Sequence, residues 1–300
     1  MRTVLTLLVS LVLAQPVFAQ EMPADYAAVL KTLGRQGDFK DGVLKVNIPR
    51  NDLKVSIDGV ATPTPFGFGG WIALTKGDHG DVMMGDLVLT EEEVNPVMSA
   101  VLDNGLDVTA LHNHFFYDAP RIFYMHVHGH GTPAEISKKI GPALALIGKT
   151  PSRRVGADPV AAKAIDGKLD AARLAKIAGY DGEQNGAVYK ITIGRPDIQL
   201  KEMGATINAR MGLNTWAAFY GSDAEAVVAG DVAMRAEEVT PVLKALRSSG
   251  IEIVAIHHHM TATEPTVYFL HYWGRGPAQQ LATGVRAAVD QTGKAASTGQ

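Results

Sequence analysis

The sequence predicts an α+β protein made of two tandem copies of one unit, built mainly of antiparallel sheet and related by a pseudo-twofold axis. Two observations carry this. A constant offset of 145 positions takes Trp71 to Trp216, His112 to His257, His114 to His259 and His126 to His271. It also takes Gly85-Asp86 to Gly230-Asp231 and Glu92-Glu93-Val94 to Glu237-Glu238-Val239. Without a gap, about a quarter to a third of residues 25–149 are identical to residues 170–294, several times the level of unrelated chains. Within each copy, apolar runs come in pairs split by turn residues, which suits hairpins rather than the strict strand–helix alternation of a parallel sheet.

The elements follow in chain order. Residues 1–19 read as an export signal, with Arg2 at the start, an apolar stretch from Leu5 to Leu13 and the small-residue pattern Val17-Phe18-Ala19 before Gln20. The apolar stretch is shorter than the ~20 residues of a spanning helix. The expectation is therefore a soluble periplasmic or secreted protein with no transmembrane anchor after cleavage.

The first repeat occupies 25–149. Residues 25–33 are helical in character and stop at Gly34, as 170–179 do at Gly179. Residues 43–48 and 188–193 alternate as half-buried strands do. A long loop with Pro63, Pro65, Gly67, Gly69 and Gly70 follows, and loops of this length are often functional. Residues 71–75 and 82–89 form a hairpin around Gly77, Asp78 and Gly80. Thr90 and Glu93 make a capping box for a helix whose buried stripe is Val94, Val97, Met98, Val101 and Leu102, and Gly105 ends it. Strands over 106–114 and 122–128, turning through Asp118, Ala119 and Pro120, precede a closing helix over 133–147. Each unit reads α-β-β-β-α-β-β-α. Residues 150–169 connect it to the second repeat at 170–294, and 295–300 form a tail.

Composition excludes several functions. The chain has no cysteine, so a metal must be held by nitrogen and oxygen ligands. A net charge of −3 without long basic runs gives no footprint for nucleic acid. There is no Walker-type loop and no GxSxG elbow, and of Gly67-Phe68-Gly69-Gly70 the second copy keeps only Gly212, so no nucleotide cofactor is expected.

The chemistry sits on the histidines. In His112-Asn113-His114 the two rings leave the same face of a strand, and His126 and His128 repeat the spacing on the next. A turn centred on Pro120 would set His112 opposite His128 and His114 opposite His126, with Cβ atoms ~4.5 to 5.5 Å apart. Imidazoles at that spacing converge on an ion at ~2.0 to 2.1 Å.

The second copy keeps His257, His259 and His271 but has Trp273 and Arg275 where the first has His128 and His130. The metal candidates are therefore His112, His114, His126, His257, His259 and His271. His258 points to the opposite face, His130 is expected beyond the end of the strand between Gly129 and Gly131, at a mobile end, and His79 reads as a surface residue in a hairpin turn. Asp86, Asp231, Asp52 and Asp197 are carboxylates that would complete the sphere or act as a base, with Glu92 and Glu237 also open. Glu93 and Glu238 are explained as helix N-terminal acids. Trp71 and Trp216 read as core residues at strand starts, with a sugar-binding floor as the alternative.

At His112-Asn113-His114, Pro120-Arg121-Ile122-Phe123 and His126, with their counterparts His257-His258-His259-Met260 and Phe269 to Gly274, the chain resembles a bacterial exported family of unknown function. That family includes the mycobacterial lipoproteins LppY and LpqO. The resemblance covers most of the mature chain and implies export, but no reaction, substrate or catalytic residue. Lacking cysteine, this chain departs from the lipoproteins in having no site for a lipid anchor.

The leading expectation is an exported protein that binds Zn or Cu through the duplicated histidine hairpins; copper fits because imidazole suits it and Met125 and Met260 lie nearby. The second is a metal-assisted hydrolase, in which a histidine-bound ion activates water. The third is a binding protein for a small non-metal ligand, with a cleft between the repeats.

Overall fold

The computed structural model describes residues 20–149, 162–261 and 263–293. The expected export signal, most of the connector and the tail lie outside these. In the first copy, α1 (Ala24–Leu33), β1 (Gly37–Lys40), β2 (Val43–Pro49), β3 (Val55–Ile57), β4 (Val60–Thr62), β5 (Gly69–Gly77) and β6 (Gly80–Thr90) are followed by α2 (Glu91–Asp103). Then come β7 (Asp107–His112), β8 (Asp118–Ala119), β9 (Ile122–Gly131) and α3 (Pro133–Leu146). The second copy repeats this as α4 (Ala171–Ala178), β10 (Gly182–Asn185), β11 (Val188–Gly194), β12 (Lys201–Glu202), β13 (Ala205–Thr206), β14 (Asn214–Gly221) and β15 (Ala226–Met234). It ends with α5 (Ala236–Ser248), β16 (Glu252–His257), β17 (Tyr268–Gly276) and α6 (Ala278–Val289). Gly34 and Gly179 end the first helix of each copy in the left-handed region that glycine enters without strain.

Each copy forms a six-stranded antiparallel sheet, in the order β1-β2-β5-β6-β9-β7 and β10-β11-β14-β15-β17-β16. The mixed α+β class and tandem duplication are thus as expected. The alternation of the strands decides what each face does. Leu44, Val46, Ile48, Ile72, Leu74, Met125 and Val127 pack against the helices of their own copy, as Ile191, Ala217, Val232, Leu270 and Tyr272 do in the second. The intervening residues leave the opposite face.

That opposite face is covered by the other copy. The long loop of the first copy sends Val55, Ile57, Phe66 and Phe68 into one cluster with Val188, Ala218, Tyr220, Val227 and Trp273 of the second sheet. Reciprocally, Ile198, Leu200, Ile207, Met211 and Leu213 cover Val43, Ala73, Val82 and Met84 of the first. The loops are less bare than expected: each carries a short hairpin, β3–β4 or β12–β13, and a 3-10 turn at Thr64–Phe66 or Ala209–Met211. The two sheets are clasped face to face, and what lies between them is the site.

Candidate metal centre

One row of side chains crosses each sheet. Trp71 on β5 stands opposite Asp86 on β6, and Asp86 opposite His126 on β9. In the second copy Trp216, Asp231 and His271 form the same row. Lys45 and Lys190, related by the same offset, lie over the indoles of Trp71 and Trp216 at 4.4 and 4.3 Å. These lysines were overlooked in the sequence, although the 145-residue offset pairs them as cleanly as it pairs the histidines.

The histidine hairpin differs from the expected register. His112 stands opposite Tyr124 and Ala110 opposite His126, with an irregularity between Val108 and Ala110. The connection is not a tight turn on Pro120. Asp118 and Ala119 leave to pair with β3, and Asn113 donates to the Ile122 carbonyl at 2.7 Å. β7 therefore ends at His112, and His114 belongs to the following loop. His128 sits opposite Asp107 instead and meets Glu202 at 3.0 Å. His79 is exposed, as expected of a surface residue. His130 is exposed too, but β9 runs on to Gly131, so it lies within the strand opposite Val82 and not beyond its end.

All six repeated histidines nevertheless come together, because the copies bring their β7 and β16 edges against each other. His112 stacks on His257 with ring centroids 3.8 Å apart, His114 lies 3.5 Å from His271, and His126 lies 4.0 Å from His259. The last two pairs exchange under the 145-residue shift, as an approximate twofold requires. Outer walls complete the pairing: His114 lies against Tyr124 at 3.2 Å and His259 against Phe269 at 3.4 Å. Thr109 donates to the His259 carbonyl at 2.7 Å, tying one loop to the other copy.

Two ligand sets are within reach of a single ion each: His112, His257 and His271, and His126, His257 and His259, with ligand atoms in each set no more than 4.8 Å apart. The Nε2 atoms of His112 and His271 are 3.2 Å apart. Two nitrogens bound tetrahedrally at ~2.0 to 2.1 Å stand about 3.3 Å apart, so the spacing suits a shared ion as well as it suits a hydrogen bond. The other nitrogens favour the ion. Nδ1 of His112, both nitrogens of His114 and His257, Nε2 of His126 and Nδ1 of His259 are buried without a hydrogen-bond partner among the described residues. Each unmet buried group costs about 1–3 kcal/mol. A set this large rivals the roughly 5–15 kcal/mol that holds a whole domain together. Ligation by a cation meets one nitrogen on each ring it binds; His114 stands beside the two ligand sets and belongs to neither.

Burial also keeps the rings in the form that ligates. His112 is pushed down to about 2, and burial drives His114 and His126 well below 6.5, with the neighbouring histidines adding to it. His257 moves the same way. At His271 burial again lowers the value, with the Asp231 charge opposing it. Neutral imidazole is the metal ligand.

The carboxylates divide into two kinds. Asp86 and Asp231 line the site, while Asp52 and Asp197, expected as possible ligands or bases, are held by arginine. Arg50 bonds Asp52 at 2.9 and 2.8 Å, and Arg195 bonds Asp197 at the same distances. Both aspartates lie at the ends of strands whose arginine turns back onto them. Asp231 accepts from the Leu270 N–H at 3.0 Å and lies 3.5 Å from His259 Nε2. Asp86 has an oxygen without a partner, and burial together with the nearby Asp231 charge raises its carboxyl to about 7.

Above the histidines opens a cavity of about 730 Å³ between the two copies. His114, His259 and His271 reach its floor with Asp86 and Asp231, and Lys45, Lys190, Trp71 and Trp216 form its sides. Both tryptophans are only partly buried, with one side packed on an apolar cluster. The core reading is thus corrected: strand-start tryptophans on the sheet face away from the helices become cavity walls. Gly212, at φ +98°, passes beside Trp71 and His259, where a Cβ would approach the indole to 3.2 Å and the His259 ring to 3.4 Å.

Residues 27–146 and 172–291 each match the family described as Domain of Unknown Function (DUF1259). The chain belongs to this family. Each DUF1259 segment contains a full set of one lysine, one tryptophan, one aspartate and three histidines, so the centre is assembled from two family units. No curated protein matches the chain. Among solved structures, it is similar to the trimeric bacterial microcompartment shell protein PduB, with 12% identity over 82% of this chain and 86% of that one and a TM-score of 0.18. It is likewise similar to EtuB from Clostridium kluyveri, with 8% identity over 84% and 89% and a TM-score of 0.19. No helix among the described residues is long and apolar enough to cross a membrane.

Proposed function

We propose that this is an exported protein, periplasmic or secreted and akin to the lipoproteins LppY and LpqO, that binds a transition metal through His112, His114, His126, His257, His259 and His271. The observation that carries the reading is the concentration of unpartnered, buried imidazole nitrogens where the two copies meet. Zinc and copper both suit an imidazole set without thiolate. His257 belongs to both ligand sets and is the residue on which binding turns.

Elemental analysis of protein purified without a histidine tag tests this. The expected result is stoichiometric Zn or Cu, removed by a chelator, regained on adding the ion and lost in His257→Leu. Protein that is metal-free and takes up neither ion overturns the proposal.

A second reading, a metal-assisted hydrolase, is favoured by one further observation: the cavity opens directly onto three of the histidines beside Asp86, a carboxylate with a free oxygen. A bound ion would supply an activated water there, and Asp86 is placed to take its proton. Metal-dependent ester or phosphoester hydrolysis that falls in Asp86→Asn with metal content intact would select this reading over simple binding.

A further inference from the structure

We infer that the cavity above the histidines is a binding site for a small oxyanion-bearing organic molecule, received by Lys45 and Lys190. This rests on the metal-binding reading for the floor of the site and adds the ligand that sits over it.

The argument begins with what the two lysines lack. Both stand on the sheet face turned toward the other copy, both line the cavity, and each ammonium lies on an indole. Among the described residues, neither has a hydrogen bond or an ion pair; Arg210, the other cation at the rim, is already held by Asp38 at 2.6 Å. An unpaired ammonium in a partly buried site is unusual, because its desolvation is normally offset by a carboxylate. Here burial lowers Lys45 to about 8, with the Lys190 charge adding to the effect, and burial lowers Lys190 too. Asp38 and Glu183 stand opposite Lys45 and Lys190 on the neighbouring strands and act on them from a distance, but neither closes an ion pair with its lysine. Two like charges that face the cavity therefore keep the capacity to receive an anion.

The surroundings decide the class of ligand. Asp86 and Asp231 stand between the tryptophan and a histidine in each row, and an ion on the histidines would offset them. Of the carboxylates nearer the lysines, Asp38 is already held by Arg210, and Glu183 forms no ion pair with Lys190 among the described residues. Trp71 and Trp216 offer flat apolar faces along the same path, which suit a carbon skeleton and not a bare ion. A volume near 730 Å³ lies within the range of small-molecule sites. Because the two lysines are equivalent under the duplication, a molecule with two anionic ends, or one oxyanion shared on the axis, matches the site best.

Titration followed by tryptophan fluorescence tests the inference, since two of the three tryptophans line the cavity. The probes are succinate, inorganic phosphate and the uncharged succinamide, each added to metal-loaded and to chelator-stripped protein. Succinate or phosphate is expected to bind and succinamide not, with preference between the two anions separating carboxylate from phosphate chemistry. Lys45→Met and Lys190→Met should each weaken binding about tenfold or more, as loss of a charge-assisted contact does. Lys45→Arg with Lys190→Arg should retain it, and metal content should stay unchanged in all variants. Absence of binding by either anion, or wild-type affinity in both methionine variants, overturns the inference. The two readings fail separately: metal without anion binding refutes only this one, and lysine-dependent anion binding in protein that takes up no metal refutes only the other.

Discussion

At the scale of the residue, the histidines are chemically committed by burial. A ring whose folded pKa lies below its unfolded value adds nothing to the pH dependence above about 6.5, where both states are neutral. Below that, the unfolded chain gains protons that the folded chain refuses, so stability falls. His112, lowered to about 2, and His114 and His126, lowered well below 6.5, therefore destabilise the metal-free protein progressively as pH drops through 6.5. Each such ring contributes up to about 1.4 kcal/mol per pH unit. The melting temperature of chelator-treated protein is expected to fall by several degrees between about pH 7.5 and about pH 5.5, and that of metal-loaded protein to fall less until the ion is released. Thermal melts across this range check it; a flat profile for the metal-free form would show that the rings protonate freely while folded.

At the scale of the element, the two copies share a buried arginine that fastens strand to helix. Arg50 at the end of β2 bonds Glu93 at 2.6 and 3.1 Å and the Val88 carbonyl at 2.6 Å, while Glu93 also accepts from Thr90 and from Gly148 after α3. Arg195 and Glu238 repeat this, with Glu238 accepting from Gly293. The sequence explained Glu93 as a helix-start acid, which it is. Its second task was illegible because Arg50 is 43 residues away and reaches it only across the sheet. Arg50→Leu leaves Glu93 charged and buried, and should cost about 3–5 kcal/mol. Urea unfolding measures this, and adding Glu93→Leu should restore most of the loss. A cost below about 1 kcal/mol, the range of an exposed pair, would contradict the assignment.

At the scale of the whole molecule, stability and site come from the same clasp. Phe66 is fully buried, with ring centroids 6.2 Å from Tyr220 and 6.0 Å from Trp273, both on the second sheet. Phe66→Ala should cost about 3–5 kcal/mol. Because the contact spans both copies, the loss should appear as one earlier transition and not as selective melting of the first copy. Hydrogen exchange resolved by segment decides between these outcomes, with unchanged protection in residues 214–234 counting against a shared clasp.

The sequence by itself determined the repeat, the helices, the main hairpins and the six histidines worth following, because each of these is written in local periodicity or in the constant offset. It could not determine the register of β7 on β9, since pairing of Asp118 and Ala119 with β3 opens a turn that local residue types make look tight. Nor could it show that Trp71, Asp86 and His126 form a row with Lys45 reaching over the indole, a relation between strands separated by long stretches of chain. Only the tertiary structure decided that the two histidine sets meet in one centre and not two. The reason is physical: each sheet leaves an apolar face open that its own helices do not cover, and the loop of the other copy buries it, turning both histidine edges inward.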